Sequence, residues 1–165
     1  MELLEFKIPD NKGNHLLVAL NFYDSDQKNN IFKIPRKWSS VEIIEINITK
    51  EHVNKPIDVH VFFKLCRELL CIFNQHENAI MFYEVSFDEL LLNQRHSYLT
   101  PSDYRKKFFD TLKLWVEKQG CGNNVLIIDT EVGPDGFVNH VRIFFRKKHL
   151  ELVEQVTPYI SGKYN

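Results

Sequence analysis

The chain has 165 residues, with 21 Lys plus Arg against 22 Asp plus Glu, a net charge of −1 and 44% hydrophobic residues. This length predicts a single domain over residues 1–165 that buries enough apolar surface to fold without a metal or a disulfide. The balanced charge argues against a strongly basic nucleic-acid binder, and the ample apolar content excludes a chain that is mainly disordered.

The first third of the sequence predicts an antiparallel meander of four short strands. Glu2 to Ile8 and His15 to Tyr23 are rich in strand formers, and the turn residues between them predict a hairpin. We interpret the polar stretch Asp24 to Asn30 as a mobile loop and Ile31 to Ile34 as a brief third strand. Isoleucine alternates with polar residues over positions 44–48, which is typical of a half-buried strand.

The central part of the chain changes to helical spacing. Apolar residues recur every three or four positions between Pro56 and His76, which predicts a buried helix with a proline in its first turn. The nearly continuous apolar run 79–83 predicts a strand covered on both faces. A capping box at 86–89 predicts a short helix, and the cap, proline and acid of residues 100–103 predict a longer helix that ends before Gly120.

The last part of the chain predicts a hairpin followed by a helix. Residues 125–132 and 137–146 have strand character, and the Pro and Gly residues of 133–136 suit a tight turn between them. Residues 151–160 predict a short last helix, whose end is limited by Pro158. This order of elements predicts an α+β fold, with a largely antiparallel sheet of about five to seven strands and two main helices packed on one face. The N-terminal meander and the C-terminal hairpin supply the sheet.

The first residues of the chain and its cysteines indicate the cellular compartment and whether disulfides or zinc sites are expected. The N-terminus is acidic and lacks a secretory signal, and no charge-free apolar run reaches the roughly 18 residues of a membrane span. The 3 cysteines have no C-x-x-C spacing, which fits reduced thiols and indicates neither a disulfide framework nor a zinc site. We therefore expect a cytoplasmic protein with no cofactor, no bound metal and no membrane association.

The preferred hypothesis for function is a small non-catalytic binding or regulatory protein that acts through a protein interface. Aromatic residues make up 13% of the chain, and aromatic and arginine side chains supply the anchors of interfaces. The candidate contact residues are Trp38, Tyr98, Arg142 and Arg146.

A second hypothesis is an enzyme that acts on an anionic small molecule. Carboxylate, imidazole and guanidinium groups that converge in a pocket can perform acid–base chemistry. The candidate polar site consists of Glu84, Asp88, Arg95, His96 and Arg105, with Asp129 and Glu131 as alternatives. This hypothesis predicts that at least two of these groups lie within about 4 Å of each other.

Two further patterns concern nucleic acids. An apolar strand that ends in Asp129-Thr130-Glu131 is similar to the first motif of the DEDD exonucleases, but the chain that follows is too short for the remaining motifs of that family. The basic clusters 105–107 and 142–149 leave weak nucleic-acid binding as a third hypothesis, for which affinity should fall steeply with salt.

An apolar strand that leads into acid-bearing polar sequence covers residues 83–88, and the residues that follow in the same pattern are Arg95, Arg105, Phe109 and Trp115. This arrangement resembles a family of short bacterial proteins, a domain of unknown function best represented in Bacteroidetes. The chain departs from the family at residues 90–92, where three leucines stand in place of polar and acidic residues. The resemblance implies no activity, and it directs attention to Glu84, Asp88 and the two arginines.

Overall fold

A computed structural model describes residues 2–11, 13–51, 59–85, 110, 114, 118, 125–132 and 139–164 of the chain. The strands are β1 Glu2–Pro9, β2 His15–Phe22, β3 Glu42–Glu51, β4 Ala79–Val85, β5 Leu126–Val132 and β6 Asn139–Phe145. The longer helices are α1 Ser25–Ile31, α2 Val59–Gln75 and α3 Leu150–Gly162, with short 3-10 turns at Arg36–Trp38 and Lys147–His149. The described strands form one six-stranded sheet in the order β1-β2-β3-β4-β6-β5.

The turn that joins β1 to β2 is held by hydrogen bonds between Asp10 and Asn14. The backbone N–H and the Nδ2 of Asn14 donate to the Asp10 carboxylate at 2.8 and 3.0 Å, and the Asp10 N–H donates back to the Asn14 carbonyl at 2.9 Å. Gly13 has φ +83°, a conformation that glycine adopts without steric cost. The predicted hairpin is confirmed, with Glu2 opposite Phe22.

Residues 24–34 differ from the sequence prediction. A helix, α1, lies where we expected a mobile loop, because Asp24 and Gln27 cap it reciprocally at 2.9 and 3.1 Å. The predicted strand Ile31 to Ile34 is wrong, since Ile31 ends α1. Phe32 and Ile34 follow α1 and are buried in the core, and they do not belong to a strand.

The connection between β3 and β4 sets the topology. These two strands are parallel, with Glu42 opposite Ala79, whereas all other neighbouring pairs are antiparallel. Parallel neighbours need a long crossover, and α2 lies in it. The meander therefore has three strands, β1 to β3, and the predicted fourth strand is absent from it.

The two faces of the sheet carry separate hydrophobic clusters. One face, here the α2 face, packs on α2 through residues that include Leu65 and Phe73. The opposite face, the α3 face, packs on α3 through residues that include Val153 and Val156. Residues 79–83 of β4 are all buried between the helices, which confirms the strand predicted to be covered on both sides.

The predicted α+β class is confirmed, as are the central helix over Val59–Gln75, the strands of the C-terminal hairpin and the last helix. Pro56, predicted in the first turn of the central helix, lies outside the described residues. The turn 133–136 and the helix predicted from 86–89 lie outside the described residues. Of the second main helix, Asp110, Leu114 and Lys118 are described and are helical. Asp110 contacts a residue of the α2 face, so it approaches the same face as α2.

Pro158 lies inside α3, so the prediction that it limits this helix is wrong. Proline cannot donate to the carbonyl of Glu154, but both residues are exposed and water can satisfy that carbonyl. In the same turn, the Thr157 hydroxyl donates to the Val153 carbonyl at 2.6 Å. The helix therefore continues to Gly162.

Candidate functional sites

Arg142 is fully buried on β6, with 0% of its side chain exposed. The strand register places Tyr83 of β4 on one side of it and Asp129 of β5 on the other, all on the α2 face. The prediction that Arg142 contacts a protein partner is therefore wrong. It failed because the sequence does not reveal which face of β6 is covered.

Two carboxylates neutralise the Arg142 guanidinium. Its Nη2 donates to Asp110 and to Asp129 Oδ2, the latter at 3.2 Å. Removing one partner of a buried ion pair typically costs several kcal/mol, because it leaves an uncompensated charge. The network therefore ties Asp110 to strands β6 and β5, at one side of the sheet.

Asp129 also contacts a histidine. Its Oδ1 lies 3.1 Å from His140 Nδ1, and the two side chains are only 24% and 14% exposed. A carboxylate at Nδ1 fixes the orientation of an imidazole ring and leaves Nε2 as a potential proton acceptor. Asp129 thus has a group within the distance that the enzyme hypothesis requires, but the partner is His140 and not a member of the predicted polar set.

Tyr83 completes this network from β4. Burial raises the pKa of Tyr83, while the nearby Arg142 charge opposes that rise, so the phenol is neutral at pH 7. The charged groups of this network bind one another: Arg142 donates to Asp110 and Asp129, and Asp129 contacts His140. This arrangement serves first as an electrostatic joint between β4, β5 and β6.

Glu84 is the one described member of the predicted polar site. It lies on the α3 face, opposite Val141 in the register and away from Arg142. Burial raises the pKa of Tyr164, and the charges of Tyr23 and then of Glu84 add to that rise. The structure therefore does not bring Glu84 and Asp129 together. The other members fall outside the described residues: Asp88, Arg95, His96 and Arg105.

Arg146 caps a helix. Its Nη1 donates to the His76 carbonyl at 2.9 Å and its Nη2 to the Phe73 carbonyl at 2.5 Å, at the end of α2. The guanidinium carbon also lies 4.0 Å from the centroid of the Phe73 ring. Each carbonyl also accepts a backbone hydrogen bond, Phe73 from the His76 N–H at 3.3 Å and His76 from the Ala79 N–H at 3.1 Å. The guanidinium therefore adds a charged donor to the end of the helix, where carbonyls point away from the helix. The interface role predicted for Arg146 stays a prediction, since this half-buried side chain binds within the chain and keeps some exposed surface.

Trp38 is half-buried against the cluster on the α3 face. Its ring meets His149 edge to face at 6.1 Å, and the Lys37 ammonium lies 5.6 Å from its centroid. Trp38 Nε1 and His149 Nδ1 are buried and have no hydrogen-bond partner among the described residues. The interface role predicted for Trp38 stays a prediction, and Tyr98 lies outside the described residues.

Aromatic rings and one carboxylate surround the Lys163 ammonium just after the end of α3. Its Nζ lies 5.1 Å from the centroid of Tyr23, 5.9 Å from that of Phe82 and 5.8 Å from that of Tyr164. It also donates hydrogen bonds to the Glu45 carboxylate and the Tyr23 hydroxyl. We call this cluster the Lys163 cage.

The cage is polar at its centre and apolar at its walls. Glu45 is only 6% exposed, and besides Lys163 it accepts hydrogen bonds from the Tyr23 hydroxyl at 2.8 Å and from Asn47 Nδ2 at 3.2 Å. Burial raises the pKa of Tyr23 and lowers the pKa of Lys163. No local motif predicts the cage, because its members come from four separate segments of the chain.

The free edge of β1 is a third distinctive surface. Among the strands that the structure describes, β1 is the outermost on its side of the sheet and no strand pairs with its outer edge; β1 is eight residues long. Leu3 and Leu4 are 56% and 45% exposed, and successive strand residues point to opposite faces. The edge thus has exposed apolar side chains on both of its sides.

Neither a metal cluster nor a membrane-spanning helix is seen in the part of the chain that the structure describes. No group of three His, Cys, Asp or Glu side chains there is arranged to hold a metal ion. None of the helices in that part is both long and apolar enough to cross a bilayer.

Comparisons with known proteins bring no relative. No family model, no curated protein and no solved structure matches this chain. The resemblance to the Bacteroidetes family therefore stays a prediction.

Proposed function

We propose that this chain is a binding protein that holds an extended segment of a protein partner against the free edge of β1. The observation that carries the proposal is the exposure of Leu3 and Leu4 on opposite faces of that edge strand. An edge strand presents unpaired N–H and C=O groups, which a partner strand can satisfy. Side chains of the partner strand would cover the two leucines and remove their apolar surface from water.

The surroundings of β1 indicate the character of the partner segment. The exposed acids Glu2 and Glu5 flank the leucines. Opposite charges in facing positions stabilise strand pairs and like charges destabilise them. The proposed segment therefore combines apolar residues with at least one Lys or Arg that faces these acids.

The Arg142 network is a weaker basis for function than this edge. Arg142 has no exposed surface, and its Nη2 is already shared between Asp110 and Asp129. An anionic substrate would have to displace a carboxylate to reach the guanidinium. The β1 edge needs no such rearrangement.

A photo-crosslinking experiment tests the proposal. A benzophenone amino acid replaces Leu3, Leu4 or, as a matched exposed control on α3, Tyr159, which is 45% exposed. We expect the Leu3 and Leu4 positions to crosslink to one short segment of one partner. In the purified pair, Leu4→Lys should weaken binding by at least about tenfold, whereas Tyr159→Lys should leave it unchanged.

Three outcomes would contradict the proposal. A partner that crosslinks only through position 159, or that binds the Leu4→Lys protein with full affinity, places the interface elsewhere. Crosslinks between copies of this chain, together with a dimer in sedimentation, would assign the edge to self-association. Circular dichroism of each variant verifies that the fold is intact.

A further inference from the structure

The Lys163 cage has the chemistry of a cation site. Three ring centroids lie within 5.1 to 5.9 Å of the ammonium, inside the distance of about 6 Å at which aromatic faces attract cations. Glu45 supplies a full negative charge at 6% exposure. A carboxylate so deeply buried requires a cationic or hydrogen-bonding partner.

We propose that Tyr23, Glu45, Phe82 and Tyr164 form a binding site for a primary alkylammonium group, which Lys163 of the same chain fills in this structure. The hydrogen bonds that Nζ donates show whether the site suits a primary or a quaternary ammonium. Nζ donates N–H groups to both Glu45 and Tyr23. A quaternary ammonium has no N–H to donate, so the site selects a primary amine.

Lys163 is placed so that it can be exchanged. It follows the last residue of α3, Gly162, and its side chain is 32% exposed. Ile160, three residues earlier, and Tyr164, the next residue, both pack on the cluster of the α3 face, so they hold the backbone while the Lys163 side chain moves. The lysine can therefore leave the cage without unpacking α3 from the sheet.

In the wild-type chain, a ligand ammonium replaces the Lys163 ammonium, so the site always contains a cation. Without a cation, the Glu45 carboxylate would keep two neutral donors among the described residues, the Tyr23 hydroxyl and Asn47 Nδ2. The incoming ligand is an alkylamine or the side chain of a lysine in another protein, and both present the same group. The cage shares no residue with the β1 edge, so either proposal can fail alone.

A cavity variant tests the site with a defined probe. In Lys163→Ala we expect n-butylammonium to bind in the millimolar range, to shift the ring resonances of Tyr23 and Tyr164, and to raise the melting temperature. The wild-type chain should respond at least about tenfold more weakly, since its own lysine competes. Adding Glu45→Gln to Lys163→Ala should remove the response.

Two comparisons set the ligand class and its source. Tetramethylammonium should bind Lys163→Ala at least about tenfold more weakly than n-butylammonium, and equal binding would overturn the assignment to a primary amine. Binding of Nα-acetyl-lysine methylamide, which carries the backbone of a protein lysine, shows whether the natural ligand is a free alkylamine or a lysine of another protein. Tighter binding than n-butylammonium indicates a protein lysine, and weaker binding indicates a free amine.

Measurements on the wild-type chain cover the case in which the variant does not fold. Excess n-butylammonium should move the Lys163 Cε resonance toward that of the exposed Lys37. A folded Lys163→Ala protein whose Tyr23 and Tyr164 signals ignore the amine would overturn the proposal. So would a Lys163 resonance that does not move in the wild-type chain.

Discussion

Two buried basic residues of this protein differ in their charge state: Arg142 is charged and His149 is neutral at pH 7. Arg142 stays ionised and is surrounded by Asp110 and Asp129. His149 is 2% exposed, and burial, with the nearby charges of Lys148 and Arg146, lowers its pKa to about 4. At neutral pH the buried imidazole is therefore uncharged.

The lowered pKa of His149 predicts an acid-sensitive stability. In the unfolded chain this imidazole binds a proton near its ordinary pKa of 6.5, whereas in the folded chain it does so only near 4. The unfolded state thus binds more protons between these values, so the free energy of unfolding falls as pH is lowered from 6.5 to 4. The loss from this group is at most about 3 kcal/mol.

Urea unfolding at several pH values measures this effect. His149→Phe keeps a ring against Trp38 and has no ionisable group, so its stability should change less across this pH range. Equal pH dependence in the two proteins would show that His149 is not responsible.

Single residues also show where sequence reasoning stops. Local patterns place Arg142 on a strand and Asp129 on its neighbour, but the pairing that joins them appears only with the register. Asp110, 32 residues from Arg142 along the chain, carries no sign of its role in the sequence. An ion pair depends on distances in space, which residue type does not encode.

At the scale of elements, the end of α2 depends on a residue from another strand. Arg146 follows β6, more than 70 residues after α2 begins, yet it binds the last carbonyls of that helix. Hydrogen bonds from charged donors contribute about 1.5–3 kcal/mol each. The helix and the hairpin are therefore energetically coupled.

Arg146→Met should weaken this coupling. The variant keeps an apolar stem over Phe73 but removes both hydrogen bonds. Because both carbonyls keep a backbone N–H donor, we expect a total loss of only about 1–3 kcal/mol in urea unfolding, with faster amide exchange in the last turn of α2. Lys147→Met, at an exposed neighbouring position, serves as the control. If both variants have equal stability, the cap is energetically unimportant.

Elements with a long regular pattern were predictable and short ones were not. α2 has 17 residues and a clear apolar stripe, so its position follows from the sequence. α1 has only seven residues and none is buried, so no periodicity reveals it. Its Asp24 and Gln27 cap is the local signal that could have identified it.

At the scale of the whole molecule, the sheet joins two hydrophobic clusters. Strands β3 and β4 contribute alternate residues to both, for example Ile43 and Ile44 to opposite faces. Neither cluster can lose its packing without disturbing the strands that hold the other. We therefore expect a single cooperative unfolding transition.

Matched cavity variants test this cooperativity. Leu65→Ala on the α2 side and Leu152→Ala on the α3 side should each cost about 2–5 kcal/mol. Both should displace the same transition, observed by tryptophan fluorescence and by circular dichroism, while Leu150→Ala at a partly exposed site should have a small effect. Two separate transitions, each moved by only one variant, would show that the faces unfold independently.

The sequence alone determined the class of fold, because the burial of one side of each long element leaves a periodic apolar pattern. The hairpin of β1 and β2, the helix α2 and the strands β5 and β6 follow from that pattern. Only the tertiary structure decided which polar groups meet. Lys163 and Glu45, 118 residues apart in the chain, share a cage because α3 packs on the face of the sheet to which Glu45 points. The parallel placement of β4 beside β3 is a property of the assembled sheet, and local spacing carries no record of it.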